Sequence, residues 1–98
     1  MKQHQYRVRL EHLADAKGQP SDKAPLEFEI GNHDDILSIV ERIRARGDFD
    51  ANRSAALAVG LKLFSEVMLE NRDHPLFAEF KPHFMNFMKV IKKGPDTP

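Results

Sequence analysis

His33, Asp34 and Asp35 form the most chemically suggestive tripeptide in the chain, since an imidazole and two carboxylates are all competent metal ligands. Adjacent helical residues point about 100° apart, however, so three in a row diverge where a pair spaced three or four apart would converge. A helix start also favours acids on its own account, through its exposed amides and its dipole. Capping is therefore the preferred reading of the tripeptide, and a metal-dependent enzyme using His33, Asp34 and Asp35 is the lesser alternative. The other imidazoles are His4, His12, His74 and His83, of which His74 and His83 would approach one another if the segment between them folds back. No HExxH or HxxxH spacing supports a site for them. The serines, Ser21, Ser38, Ser54 and Ser65, stand in no G-x-S-x-G turn, and no glycine-rich phosphate loop occurs. No catalytic, metal-binding or cofactor-binding residue is assigned, and no cofactor is expected.

Composition narrows the field further. A content of 41% hydrophobic and 31% charged residues is that of a globular rather than a disordered chain, and 98 residues suffice for one core. Fifteen basic residues balance fifteen acidic ones, so no global field draws the protein to nucleic acid or to an anionic membrane. With no cysteine, thiol catalysis, thiolate metal sites and disulfides are all excluded, which fits a reducing compartment. The opening MKQHQYRVRLEHL is charged throughout, and no run reaches the roughly 18 apolar residues of a membrane span. A cytoplasmic protein is expected.

The elements that position these residues follow from periodicity. In QYRVRL, Tyr6, Val8 and Leu10 alternate with polar residues, and in PLEFEI, Leu26, Phe28 and Ile30 do the same, the pattern of two half-buried strands. Opposing Arg7 to Glu29 and Arg9 to Glu27 also opposes Tyr6 to Ile30, Val8 to Phe28 and Leu10 to Leu26, so one antiparallel register satisfies both faces. A first helix is expected with Asn32 as N-cap, Asp34 and Asp35 in its first turn, a narrow stripe of Ile36, Ile39, Val40 and Ile43, and Gly47 as its stop. Asp50 caps a second helix running to about Asn71. On a helical wheel, Ala56, Gly60, Leu63 and Val67 occupy one sector and Leu57, Leu61, Phe64 and Met68 the next, an apolar arc that calls for partners on two sides. Gly60 is accordingly expected at a close helix contact, with Gly60→Ala destabilising through overpacking. A short helix over about residues 75–80, opened by Pro75, and a terminal helix from Pro82 to Lys93, ended by Gly94 and Pro95, complete the chain.

The expected fold is α+β: a two-stranded antiparallel hairpin packed on three to four helices in the order ββααα, with the second helix central. Residues 1–94 form one compact domain, and residues 95–98 a loose tail. The segments HDDI at 33–36, GLKLFSEVMLENR at 60–72 and HPLFAEF at 74–80, behind a hairpin beginning KQHQYRV, resemble a small bacterial family known only as a domain of unknown function. The resemblance extends over nearly the whole chain to about Lys93. It implies a bacterial protein of one compact domain and carries no activity with it.

Phe77, Phe80, Phe84, Met85, Phe87 and Met88 supply more large apolar surface than a two-stranded sheet covers, and both strands have an open edge. A non-enzymatic protein-interaction module is therefore expected, self-associating as a homodimer or meeting a protein partner through apolar helices or the hairpin edge. The alternative is a nucleic-acid-binding regulator of the ribbon-helix-helix type. It is disfavoured because the second strand would present Glu27 and Glu29 to phosphates.

Overall fold

The computed structural model describes residues 2–93. The strands are β1 (His4–Leu10) and β2 (Leu26–Asn32), and the helices are α1 (Ile36–Arg46), α2 (Ala51–Glu70), α3 (Pro75–Ala78) and α4 (Lys81–Lys93). The expected α+β order is observed. The described residues fall into two compact units that divide between Asp34 and Asp35. The expected tail at 95–98, and the Gly94 and Pro95 expected to end the last helix, lie outside the described residues.

In the first unit β1 and β2 pair antiparallel in the register that the alternation requires, with Arg7 opposite Glu29, Val8 opposite Phe28 and Arg9 opposite Glu27. The outward charges pair across the ladder: Arg7 Nη2 lies 2.6 Å from Glu29 Oε2, and Arg9 Nη1 lies 2.8 Å from Glu27 Oε2. Glu11 and then Glu27 raise the pKa of the Arg9 guanidinium. The connector between the strands is more ordered than its composition suggests. Asp15 Oδ1 accepts from the amides of Lys17 and Gln19, both at 2.9 Å, and Gly18 takes a positive φ of 85° that suits a residue without Cβ. Outside this turn Ala14 bridges Pro20, and the Ser21 amide donates to the Leu13 carbonyl at 3.1 Å.

In the second unit α1 packs on α2, burying Ile36, Val40 and Ile43 from the predicted stripe. Gly47 closes α1 in the left-handed conformation, at φ 79°, and its amide donates to Arg44 O. Asp50 caps α2 by accepting from the Arg53 amide at 2.7 Å. At the other end of α2, Met68 joins Phe77 and Phe84 in a core flanked by Leu61 and Met88. The Phe64 ring meets Phe77, Phe80 and Phe84 edge-on at 5.7–5.9 Å between centroids. α2 is thus the central helix of its unit. The chain breaks between α3 and α4: α3 ends at Ala78, and α4 starts one residue before Pro82, whose missing amide falls in the first turn where no intrahelical partner is needed.

Two expectations are corrected. The N-cap of α1 is Asp35, not Asn32, and no acid stands in the first turn. Asn32 instead ends β2, its Oδ1 accepting from the Asp34 amide at 3.0 Å, so the tripeptide is a bend that delays the helix by three residues. The second correction concerns α2. Leu57, Leu61 and Met68 pack as expected and Phe64 stands at the boundary, 39% exposed with its ring edge-on to Phe77, Phe80 and Phe84, but Ala56, Gly60 and Val67 are exposed, and a Cβ added at Gly60 meets nothing within 4 Å. The second buried line is Ser54, Ala58, Lys62 and Glu66, which lies about 180° from Gly60 on the wheel.

Candidate functional site

Asp35 receives the Ser38 amide at 3.3 Å and the Ser38 hydroxyl at 2.9 Å, which commits its carboxylate to capping. The Asp34 carbonyl accepts from the Tyr6 hydroxyl at 3.1 Å. Among the described residues no group of three or more His, Asp or Glu side chains is arranged to hold a metal ion. His74 caps α3, its Nδ1 accepting from the Leu76 amide at 3.0 Å, and its ring lies edge-on to Phe77. His83 is exposed on α4.

A contact that sequence reasoning missed joins His12 to Ser21, with Nδ1 2.6 Å from Oγ. His12 is exposed and Ser21 half-buried, and Ser21 Oγ also accepts from the Lys23 amide at 3.1 Å. Among the described residues no hydrogen bond links the other ring nitrogen of His12 to a carboxylate, the group that orients the base in a serine nucleophile site. The contact pins the two ends of the connector together. Nine residues separate the pair, and no motif marks it.

The candidate surface is the outer face of α2. Ala56, Gly60, Phe64 and Val67 recur at helical spacing along it, with Phe64 39% and Val67 42% exposed. Ala56, Gly60 and Phe64, with Leu57, Leu61 and Phe80, line a shallow hollow of about 390 Å³. The opposite side of the helix buries two charged residues, Lys62 at 8% and Glu66 at 1% exposure. An ordinary surface helix turns its polar face to water and its apolar face to the core. Here the outer line is apolar, with the charged ends Arg53 and Glu70 exposed one turn beyond it on either side. The only sequence trace of this inversion is that α2 is apolar on most of its circumference, which leaves the wheel unable to choose between two apolar sectors.

A two-stranded antiparallel hairpin followed by four helices, none of those described long and apolar enough to cross a membrane, defines a small protein of the α+β class. The chain belongs to the family described as a domain of unknown function with solved structure, DUF3861, whose model matches residues 4–93. It is similar to a protein of unknown function from Pectobacterium atrosepticum, with a crystal structure at 2.20 Å, at 36% identity over 94% of this chain and 99% of that one, with a TM-score of 0.80. No curated protein matches the chain.

Proposed function

We propose that this protein is a non-enzymatic interaction module of the bacterial cytoplasm that self-associates through the outer face of α2. The observation that carries this reading is the exposed line of Ala56, Gly60, Phe64 and Val67, set against buried Lys62 and Glu66. Water gains nothing from such a face, whereas a packed partner would remove its apolar surface from solvent.

The line also complements itself. Its N-terminal half is small, Ala56 and Gly60, and its C-terminal half bulky, Phe64 and Val67. Two α2 helices crossing antiparallel near residue 62 set the small half of each against the bulky half of the other, as an isologous interface requires. The same crossing brings Arg53 of one copy toward Glu70 of the other, opposite charges at the two ends of the patch. The open space at Gly60 then accepts the partner's Phe64.

The nucleic-acid alternative gains no support from the ribbon. Its cations Arg7 and Arg9 are held by Glu29 and Glu27, so the outward face carries no surplus of positive charge for phosphates.

Sedimentation equilibrium and native mass spectrometry over 1 μM to several hundred micromolar test the proposal. The wild-type chain is expected to form a dimer, and Val67→Arg and Gly60→Arg are expected to be folded monomers with unchanged circular dichroism. A wild-type monomer over the whole range overturns self-association. A dimer indifferent to both substitutions overturns this face.

A further inference from the structure

A second feature of the helical unit lies away from the outer line of α2. Where the C-terminal turns of α1 and α4 meet the middle of α2, two neighbouring hollows share Ile43, Arg46 and Ile91. The first, of about 260 Å³, has apolar walls from Ile39, Ile43, Met88 and Ile91. Four cationic side chains also line it, Arg42, Arg46, Lys62 and Lys92, and no acid does. The second, of about 410 Å³, continues it between Phe49, Leu57, Phe87 and Val90.

Part of that positive charge has a local explanation. Arg46 donates from Nε to Asp48 Oδ2 at 2.9 Å and from Nη1 to the Ile91 carbonyl at 3.1 Å. Each helix C-terminus carries roughly half a negative charge, so the ends of α1 and α4 together answer about one cation. Arg42 and Lys92 are the cations at the apolar cleft that this leaves. Among the described residues no ion pair engages Arg42 or Lys92, and both are exposed at the rim. Lone cations on a flat surface are simply hydrated, but here they border a hollow whose walls give water few hydrogen-bonding partners.

We infer that this cleft binds a medium-chain aliphatic carboxylate. The alkyl chain lies along Ile39, Ile43, Met88 and Ile91, and the carboxylate is held at the rim by Arg42 and Lys92. Charge selects an anion, and the apolar walls select a hydrocarbon body. The first hollow, at about 260 Å³, falls below the roughly 300–1,000 Å³ of ordinary ligand sites and favours a thin chain over a nucleotide or a fused ring.

Titration with decanoate below its micelle concentration, followed by methyl NMR of isoleucine- and methionine-labelled protein, tests the inference. Shifts are expected at Ile39, Ile43, Met88 and Ile91. Affinity is expected to rise about fourfold per added methylene from hexanoate to decanoate. The double variant Arg42→Ala, Lys92→Ala is expected to bind decanoate about threefold or more weakly, and charge reversal at both positions to abolish binding. Arg42→Lys should retain it. Val67→Arg, which addresses the outer face of α2, should bind decanoate as the wild type does. Equal binding of decanol or decyltrimethylammonium overturns the inference, as does a shift confined to the Met68 methyl, in the Phe64 sector of α2. Co-sedimentation with anionic vesicles without any response to free decanoate assigns the cations to a membrane surface and also overturns it.

Discussion

The hairpin and α2 face the same problem and resolve it in opposite ways. Each element has a charged line and an apolar line, and the two differ in which line is exposed. On the hairpin one side carries Arg7, Arg9, Glu27 and Glu29, paired across the ladder, and on the other Tyr6, Val8 and Ile30 are half-buried while Leu10, Leu26 and Phe28 are exposed. On α2 the charged Lys62 and Glu66 lie inside, while Ala56, Gly60, Phe64 and Val67 lie outside. The hairpin's outer face is complete as it stands. The outer face of α2 leaves apolar surface in water, and that contrast is what motivates the proposed interaction surface.

The largest break in the contrast is expected at the buried end of α2. Glu66→Ala removes a fully buried carboxylate and leaves a cavity, and should lower stability by about 3 kcal/mol in urea unfolding. A loss under about 1 kcal/mol would mean that the buried charge contributes little. Gly60→Ala sharpens the contrast from the other side. With nothing near the added methyl group, it should stabilise the chain at low concentration by up to about 1 kcal/mol, opposite to the overpacking expected from the sequence. The same substitution should weaken the proposed self-association, because the methyl would fill the space that receives Phe64 of the second copy in that dimer. In the first unit, Gly18→Ala should cost about 1 kcal/mol through its positive φ alone, since a Cβ there meets no atom within 4 Å. The smallest effect belongs to the hairpin surface, where Glu29→Gln should cost less than about 1 kcal/mol and should vanish in 1 M salt.

These differences also explain what could be read before any coordinates. The strand register was legible because two independent constraints, charge pairing outside and apolar pairing inside, agree on a single alignment. Gly47, Asp50 and Pro75 were legible because each acts on its immediate neighbours. At residues 32–35, Asn32, Asp34 and Asp35 offer interchangeable acceptors, and only the bend made by Asn32 selects Asp35 as the cap. The inward side of α2 was hidden for a different reason. Periodicity finds an apolar sector, and α2 has more than one, so the choice rests with α1, α3 and α4 rather than with the helix itself. The cleft cations were hidden by distance along the chain: Arg42, Lys62 and Lys92 come from three helices, and each alone reads as an ordinary surface charge.

The turn held by Asp15 bears on how the first unit closes. Residues 11–25 separate β1 from β2, whereas residues 47–50 separate α1 from α2, and a loop nearly four times longer costs about 1.2 kcal/mol more in chain entropy if both behave as free coil. The connector does not behave so. Its contacts are nested: one carboxylate gathers two amides within the five residues from Asp15 to Gln19, outside them lies the Ala14–Pro20 bridge, and outside that the Leu13–Ser21 hydrogen bond. Each step shortens the span left for the next, so the ladder from Leu10 to His4 extends outward from an end already brought together. One aspartate and one glycine thus turn a single long-range encounter into a series of short ones, and lengthening the chain between them should slow hairpin formation more than the added residues alone would predict.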